Sequence, residues 1–265
     1  MHHSRSLAVA VIAAVLSPAA GAQEFAAVVS PPRFEIAAKP GERVREVVEI
    51  TNVSSLPSTF HLHTSDWTLA PDGAVAFSDD LAPDSCRRWV AIERREIAVP
   101  GGGRYRYRFE FQPPADAGPG ECRFALMIEG DEQSVRSEGG LEMPVSGRIA
   151  IIVYAQIGQT AADLRVVSAN VRDVDGRPLP VLLVNNSGNA HGRLTGFLSG
   201  TDANGRKLEF DAATLPILPG ETRGIALTAS DGMKDVTDFA YPVRIKGVLE
   251  WGDGQRIELD QLFAR

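Results

Sequence analysis

Histidines and carboxylates at short spacing are the residues of this sequence whose types could support metal binding or catalysis. His61 and His63 would share one face of an extended strand, with Asp66 nearby. Because a three-ligand metal site needs a further ligand, two solvent-facing strand histidines are the simpler interpretation. Glu93 and Glu96 are three residues apart, which in a strand places them on opposite faces and gives a catalytic carboxylate pair little support.

Signatures of other chemistry are incomplete or missing. Asp173 and Asp175 resemble the start of a calcium-binding loop, but the other oxygen ligands, the loop glycine and the distal glutamate do not follow. His191 is isolated in the turn-rich stretch 185–192, where a loop position is expected. The sequence has no Gly-x-Ser-x-Gly elbow, phosphate-binding glycine loop, His-Glu-x-x-His or Cys-x-x-Cys motif. We therefore predict no enzymatic activity, no metal site and no cofactor.

Composition and charge narrow the class of protein. The 265 residues are 44% hydrophobic and 23% charged, which is typical of a globular chain long enough for one large or two small domains. The 34 acidic and 27 basic residues give a net charge of −7, which argues against nucleic acid as a partner. The 25 glycines and 17 prolines favour many short strands over long helices.

The first 22 residues have the organisation of a secretory signal peptide. Arg5 supplies the positive charge, residues 7–16 form an apolar run too short to span a membrane, and Ala20-Gly21-Ala22 matches the cleavage pattern. Later apolar runs do not reach the length of a membrane span. We expect a mature protein that begins at Gln23, is exported to the periplasm and is not embedded in a membrane.

Export also determines how the two cysteines are interpreted. In an oxidising compartment, Cys86 and Cys122 are expected to form one structural disulfide rather than a metal site or a nucleophile. Closing a loop of about 36 residues would stabilise the fold by about 3–4 kcal/mol in the chain-entropy model. This cross-link would lie entirely within the first half of the chain.

Alternation of apolar and polar residues dominates the chain and predicts an all-β fold. Residues 104–111 show it most clearly, with four aromatic residues on one face and charged residues on the other. Turn dipeptides such as Asp72-Gly73 separate the strand-like runs. The pattern predicts two immunoglobulin-like β-sandwich domains, 23–157 and 163–265, joined by the small-residue linker 158–162.

A row of mostly apolar residues at every second position closes the first domain. Its members are Leu141, Met143, Val145, Gly147, Ile149, Ile151 and Val153. Because Pro144 has no N–H to donate, the first part of this run is expected at the edge of a sheet. Exposed apolar edges are normally avoided, so this one is the strongest functional signal in the pattern.

Two arginines of the first domain have the chemistry to bind a carboxylate. Arg33 follows Ser30-Pro31-Pro32 at the start of the mature fold, where nothing local requires a charge. Arg148 lies where the apolar row changes from edge-like to core-like. A guanidinium in a cleft between two sandwiches can hold a carboxylate through two hydrogen bonds. An ion pair with a surface glutamate is the alternative for both residues.

Together, these features resemble the periplasmic pilus- and fimbria-assembly chaperones of the chaperone–usher pathway, with this chain as a divergent member. The resemblance is carried by the stretches 30–36, 48–52, 85–90, 122–129 and 148–154. It is weaker in the second domain, where mainly 181–187 agrees. It implies a periplasmic protein without enzymatic activity, built of two immunoglobulin-like β-sandwich domains in an L-shaped arrangement.

The resemblance also implies a way of binding a partner. In the family, the last strand of the first domain supplies the missing strand of an incomplete pilin sandwich. This role would fall to the donor edge strand Leu141, Met143, Val145, Ile149 and Ile151.

A carboxylate anchor is the second implied device. The family holds the terminal carboxylate of the subunit with an arginine of the first strand and a lysine of the last strand. Arg33 matches the arginine, but 148–154 contains no lysine, and Arg148 is its only basic residue. The anchor is therefore assigned to Arg33 and Arg148, with the second assignment departing from the family pattern.

The implied partners are a secreted pilus- or fimbrial-type subunit and the outer-membrane usher that receives it. The missing lysine, the disulfide and the long 130–140 loop indicate a divergent branch, so a coat-like secreted subunit is an alternative client. Two other classes stay open at this stage. One is a structural or adhesive β-sandwich protein that self-associates through its edge strand, and the other is an enzyme on a sandwich scaffold, which would need paired carboxylates or a metal cluster in a cleft.

Overall fold

The computed structural model describes residues 26–83, 85–131, 133–136, 142–232 and 234–265. Regular structure in these residues is almost entirely β-strand, with one 3-10 turn at Cys86–Trp89, so the predicted all-β class is confirmed. The predicted signal peptide 1–22 and Leu141 lie outside the described residues. No helix in the described ranges is long and apolar enough to cross a membrane.

The N-terminal domain contains two main sheets. Its strands are β1 (Ala27–Ser30), β2 (Arg33–Ala38), β3 (Val44–Asn52), β4 (Ser58–Leu69), β5 (Val75–Ser78), β6 (Val90–Ile92), β7 (Glu96–Val99), β8 (Arg104–Phe111), β9 (Gly120–Gly130), β10 (Gln133–Arg136), β11 (Glu142–Val145) and β12 (Arg148–Ile157). One sheet has the order β1-β3-β8-β6, and the other has the order β2-β12-β9-β4-β5 with β7 also paired to β4. Strands β10 and β11 form a separate hairpin.

Alternate side chains of the two sheets fill the N-terminal core. Strand β8 buries Tyr107, Phe109 and Phe111, as its aromatic face predicts, while its arginines stay exposed. Phe109 packs edge to face against Phe34 of the opposite sheet, with the ring centroids 5.1 Å apart. The predicted disulfide is present: it joins Cys86 of the 3-10 turn to Cys122 of β9 beside this core.

The C-terminal domain has its own core and sheet. Its strands are β13 (Leu164–Val174), β14 (Arg177–Asn186), β15 (Thr195–Thr201), β16 (Lys207–Ala212), β17 (Thr222–Ser230), β18 (Asp235–Val236), β19 (Val243–Trp251) and β20 (Gln255–Phe263). The order is β13-β14-β17-β16-β15-β19-β20, with β18 paired to β17. Strand β17 pairs with β14 through its first half and with β16 through its second half, which joins the two layers of the domain.

The apolar row 141–153 is divided between two strands rather than forming one. Strand β11 ends at Val145 and pairs with β10, whereas β12 begins at Arg148 and pairs with β9. The backbone N–H of Gly130 donates to the carbonyl of Gly147 at the point where the partner changes. The alternation of apolar and polar residues continues through the break between Val145 and Arg148. The period alone therefore predicts one long strand where two shorter ones form.

A buried arginine connects the two domains. Arg223 of β17 donates from its guanidinium to the backbone carbonyls of Leu69, the last residue of β4, and of Ala70 and Pro71 in the turn that follows it. These bonds measure 3.2, 2.8 and 3.3 Å respectively. The same guanidinium forms an ion pair with Glu221, and its side chain has no exposed surface. The guanidinium of the C-terminal domain thus donates hydrogen bonds to three backbone carbonyls of the N-terminal domain.

Candidate functional site

Strand β12 has an incomplete set of neighbours. It pairs antiparallel with β9 over its whole length, Arg148–Ile157. On its other side, parallel strand β2 begins only at Arg33, which lies opposite Ile152. Before Arg33 the chain crosses to the other sheet, where β1 pairs with β3. Residues 148–151 therefore have a strand neighbour on one side only, within the part of the chain that the structure describes.

Such an edge exposes backbone donors and acceptors that can pair with another chain. Strand β11 continues it in sequence and pairs only with β10 among the described strands, through the register Gln133↔Val145 to Arg136↔Glu142. Met143 and Val145 lie on this strand, and Leu141 precedes it outside the described residues. The expected edge position of the first part of the row agrees with this pairing.

The isoleucines of β12 differ in what they offer a partner. Ile151 is fully buried in the N-terminal core, so its side chain belongs to the domain itself. Ile149 packs at the border of the same core and keeps part of its surface exposed. Of the two, Ile149 alone has a side chain within reach of an added strand, while Ile151 offers only its backbone.

Arg33 lies on the opposite face of β2 from the core, where it faces the cleft between the domains. Its Nε is 3.2 Å from Oε1 of Glu35, and both side chains are about half exposed, at 46% and 47%. Arg148 is four residues before Ile152, the register partner of Arg33, which corresponds to about 13 Å along the strand. The structure therefore does not bring the two predicted anchor residues together.

Arg193 is the cation that shares the cleft with Arg33, and no motif or period in the sequence marks it. It lies in the loop between β14 and β15, and its Nη1 donates to the carbonyl of Thr214 at 2.7 Å. Its Nη2 donates to the hydroxyl of Tyr154 at 3.2 Å. Burial is the main cause that lowers the pKa of the Arg193 guanidinium; the charge of Arg33 adds to the shift, while Tyr154 and the carboxylate of Glu35 oppose it.

A buried aromatic and ionic cluster holds this loop against the N-terminal domain. The ring of His191 stacks on Tyr154 with the centroids 3.8 Å apart. Its Nδ1 is 2.6 Å from Oε2 of Glu121, and the backbone N–H of His191 donates to the same oxygen. His191 does lie in a loop, as expected, but it is buried at the domain interface because it pairs with a residue 70 positions away.

The loop approaches the linker so closely that it requires a glycine. A Cβ on Gly192 would lie 2.9 Å from atoms of both Ala162 and Leu164. The backbone of Gly192 also exchanges two hydrogen bonds with Ile217. These contacts fix the direction in which Arg193 leaves the loop.

The histidines of β4 each lie beside separate carboxylates, and His61 Nδ1 is also 3.8 Å from Oε2 of Glu96. His61 Nε2 is 2.7 Å from Asp131, and His63 Nε2 is 3.3 Å from Asp79. Asp66 is instead occupied by Ser85 and Arg87. Within the described ranges, no group of three or more histidine, cysteine or acidic side chains could hold a metal ion.

Comparisons with known proteins agree on the fold. No protein-family model matches the chain, and no curated protein does. The solved complex of the SafA pilin with the SafB chaperone of Salmonella enterica matches with 11% identity and a TM-score of 0.51, covering 91% of this chain and 97% of that chain. The class 5 fimbriae chaperone CfaA matches with 14% identity, a TM-score of 0.47 and coverage of 90% and 99%. The CupB2 chaperone of Pseudomonas aeruginosa matches with 14% identity, a TM-score of 0.47 and coverage of 89% and 100%. The match to the SafA–SafB complex shows that the chain has the two-domain β-sandwich fold of a fimbrial chaperone.

Proposed function

We propose that the protein is a periplasmic chaperone of a chaperone–usher pathway. It binds a secreted pilus- or fimbrial-type subunit, caps it by donor-strand complementation and delivers it to an outer-membrane usher. The observation that carries this proposal is the half-paired segment 148–151 of β12, which leaves backbone groups free for an added strand. The fold and the signal-like segment 1–22 support the periplasmic role.

Capping would proceed by extension of the second sheet of the N-terminal domain. The subunit strand would lie beside 148–151 and continue along β11. Backbone hydrogen bonds would supply affinity, and the side chains of Leu141, Met143, Val145 and Ile149 would fill the groove left by the missing strand of the subunit. No bond-making chemistry is needed, which accords with a role that is not enzymatic.

The donor strand is tested by replacing Leu141, Met143 and Val145 together with aspartate. Three charges in the apolar groove of the subunit would be strongly unfavourable, so we expect client capture to be lost. A donor strand keeps these side chains for the client and not for the core of the chaperone, so the melting temperature should stay within about 2 °C of the parent. The measurement is recovery of a secreted β-protein by the tagged mature chain, quantified by mass spectrometry.

A matched control keeps this test specific. Val167 and Leu262 are exposed apolar residues of the C-terminal domain, at 55% and 59%, and their replacement with aspartate should leave capture intact. Unchanged capture by the folded triple variant would rule out the donor strand. Recovery of the parent only as a homo-oligomer, dissociated by the triple substitution, would support the alternative of a self-associating structural or adhesive protein.

We propose Arg33, the first residue of β2, as the carboxylate anchor in the cleft. Arg33→Ala should weaken client capture by about tenfold or more, because a charge-assisted hydrogen bond pair is lost. Its stability effect should be small, since the half-exposed pair with Glu35 contributes at most about 1 kcal/mol. Capture assays and thermal melts measure both quantities.

Arg45 provides the matched control for this substitution. It is also an exposed arginine paired with a glutamate, Glu110, but it lies on the other sheet. Arg45→Ala should leave capture unchanged. Equal capture by Arg33→Ala and the parent would remove Arg33 from the anchor, whereas Arg148→Ala tests the second assigned residue in the same assay.

A further inference from the structure

Phe197 is an exposed aromatic side chain in the interior of a sheet of the C-terminal domain. Strand β15, on which it lies, pairs with β16 on one side and with β19 on the other. Phe197 is 95% exposed, whereas the other exposed large hydrophobic residues of the described chain are 42–59% exposed. Val248, its direct partner on β19, is partly buried. Single exposed apolar residues are common on protein surfaces, so exposure alone assigns no role to Phe197.

Two glycines fix the backbone beside Phe197. Gly196 has a φ of +140° and Gly247 a φ of +151°, which side chains other than glycine rarely adopt. A Cβ on Gly196 would clash with the carbonyl oxygen of Val248, and a Cβ on Gly247 would clash with the carbonyl oxygen of Phe197. The aromatic ring therefore projects from backbone that is already ordered, which lowers the entropic cost of burying it in a partner.

The charges nearest to Phe197 on this face are mostly negative. Glu250 lies two residues beyond Val248 on β19, and Glu209 and Asp211 are exposed residues of β16 on the same face. Within the described ranges these three carboxylates have no ion pair. We call this surface the Phe197 patch, and its members are Phe197, Val248, Glu209, Asp211 and Glu250.

Other charges of the face lie farther away or already form ion pairs. They are Glu258 and Asp260 with Lys207, Arg244, Lys246 and Arg256. Arg244 and Lys246 share the carboxylate of Asp260, at 2.7 and 3.2 Å. Lys207 is four residues along from Phe197 in the register, and Arg256 is on the second strand away, which corresponds to more than about 10 Å in each case. The patch itself therefore combines an apolar projection with negative charge.

A groove in the N-terminal domain has the opposite character. Strand β4 pairs with β7 up to His61 and with β5 from Asp66, so residues 63–65 have no strand partner on this side among the described strands. The chain crosses from β5 to β6 of the other sheet beside this gap, and the groove between them has a volume of about 770 Å³. Its apolar lining consists of Leu62, Leu81, Val90 and Ile92.

Basic residues outnumber acidic residues in the lining of this groove. The charged and titratable members are His61, His63, Arg87, Arg88 and Arg95, with Asp79 as the one carboxylate among the lining residues. Both histidines and Arg87 lie beside carboxylates: Glu96 and Asp131 at His61, Asp79 at His63, and Asp66 at Arg87. Arg88 and Arg95 are exposed and have no ion pair within the described part of the chain. They are therefore available to an anionic partner surface.

The two surfaces complement each other in charge and in shape. We propose that two copies of the protein associate through them, with Phe197 of one copy inserted into the groove of another against Leu81, Val90 and Ile92. The carboxylates of the Phe197 patch would then face Arg88 and Arg95, which gives a desolvated aromatic anchor inside a charged rim.

Association through two identical patches is disfavoured because it would bring like charges together. The proposed contact joins two different surfaces, so it either closes as a reciprocal pair or continues head to tail. Neither surface includes the donor strand, and the inference does not depend on the proposed function.

Sedimentation equilibrium of the mature chain tests the association, at low salt and from about 10 μM to about 1 mM protein. We expect concentration-dependent association that weakens as salt screens the rim. Phe197→Ser and Leu81→Asp should each weaken it by about tenfold or more. Val167→Ser and Leu56→Asp are the matched controls, at 55% and 51% exposed, and should associate like the parent. Thermal melts verify that every variant is folded.

Mixing variants tests whether the contact joins the two surfaces. Phe197→Ser keeps the groove and Leu81→Asp keeps the aromatic ring, so their mixture should form a complex that neither forms alone. Charge reversal extends the test: Arg88→Glu/Arg95→Glu should bind Asp211→Lys/Glu250→Lys more tightly than it binds the parent.

Several results would overturn the inference. They are a monomer at about 1 mM protein, unchanged association of Phe197→Ser, or no complex in the mixture of the two single variants. Dissociation by the triple aspartate substitution of the donor strand, with Phe197→Ser still associated, would assign self-association to the edge strand instead. Client capture reports on the proposed function separately, because Phe197→Ser leaves the donor strand and Arg33 intact.

Discussion

Replacement of Arg223 with methionine is expected to destabilise the protein by about 3–5 kcal/mol, because it removes one partner of a buried ionic and hydrogen-bonded group. Methionine retains much of the apolar volume but donates no hydrogen bonds. The carbonyls of Leu69, Ala70 and Pro71 would each lose the hydrogen bond from the guanidinium, and Glu221 would lose its ion pair. Chemical denaturation followed by circular dichroism measures the loss.

The same substitution should also weaken the coupling of the domains, because the bonds of Arg223 cross between them. Client capture is expected to fall with it, since the proposed anchor Arg33 faces the cleft between the two domains that Arg223 connects. Arg256→Met is the matched control, an exposed arginine of β20 in the same domain. An Arg223→Met protein as stable as this control would mean that the interdomain bonds contribute nothing to the folded state.

A second substitution, at Glu221, shows how much of the lost stability comes from leaving its carboxylate without a cation. In Arg223→Met the Glu221 carboxylate remains near the interface without its cation, although it still accepts a hydrogen bond from the backbone of Leu218. A double variant with Glu221→Gln should therefore recover part of the lost stability. If the double variant is less stable than Arg223→Met alone, unpaired charge is not the source of the cost.

Loss of the disulfide is the other large expected effect. The double variant Cys86→Ala/Cys122→Ala should be less stable by about 3–4 kcal/mol, and its melting temperature should fall by about 10 °C. The cross-link spans 36 residues and joins the 3-10 turn to β9 beside the N-terminal core. Constraining this loop removes conformations from the unfolded chain, which is why its loss favours unfolding.

Reduction provides an independent version of the same experiment. The parent measured in dithiothreitol should match the double variant, and dithiothreitol should not change the variant itself. Equal denaturation midpoints for the oxidised parent and the double variant would show that the cross-link does not stabilise this domain.

Local features of the fold could be predicted from the sequence because they depend on neighbouring residues. The aromatic face of β8 forms part of the core as its alternation predicts. The Asp72-Gly73 turn joins β4 to β5, with Gly73 at a φ of +90° that glycine adopts without strain. The pairing of Cys86 with Cys122 followed from compartment and count alone, since only two cysteines are present.

The interface between the domains could not be predicted in this way, because its contacts join residues far apart in the chain. Arg223 and Ala70 are separated by 153 positions, and His191 and Glu121 by 70. Periodicity carries no information about such pairs, so it gives no sign that Arg193 lies in the cleft with Arg33. The local signal for Arg193 is its position directly after His191 and Gly192, as an isolated basic residue in a turn-rich stretch.

The apolar row shows a second limit of pattern reasoning. Alternation is the same whether a strand changes partner or not, so the break at Ser146 and Gly147 left no mark in the period. The burial of Ile151 was hidden for a related reason. Alternate residues of a strand point to the same face, and the pattern does not show whether that face meets a partner or the domain's own core. At Ile151 it meets the core.

Hydrogen exchange of the segment 148–151, in the free protein and in its complex with a captured client, tests the central claim most directly. The backbone amides of this segment that point away from β9 should exchange rapidly in the free protein, because they have no strand partner among the described residues. An added subunit strand should slow this exchange by about a hundredfold or more, while the paired amides of β8 stay unchanged. Equal exchange of 148–151 in the free protein and in a stoichiometric complex would contradict capture through this edge.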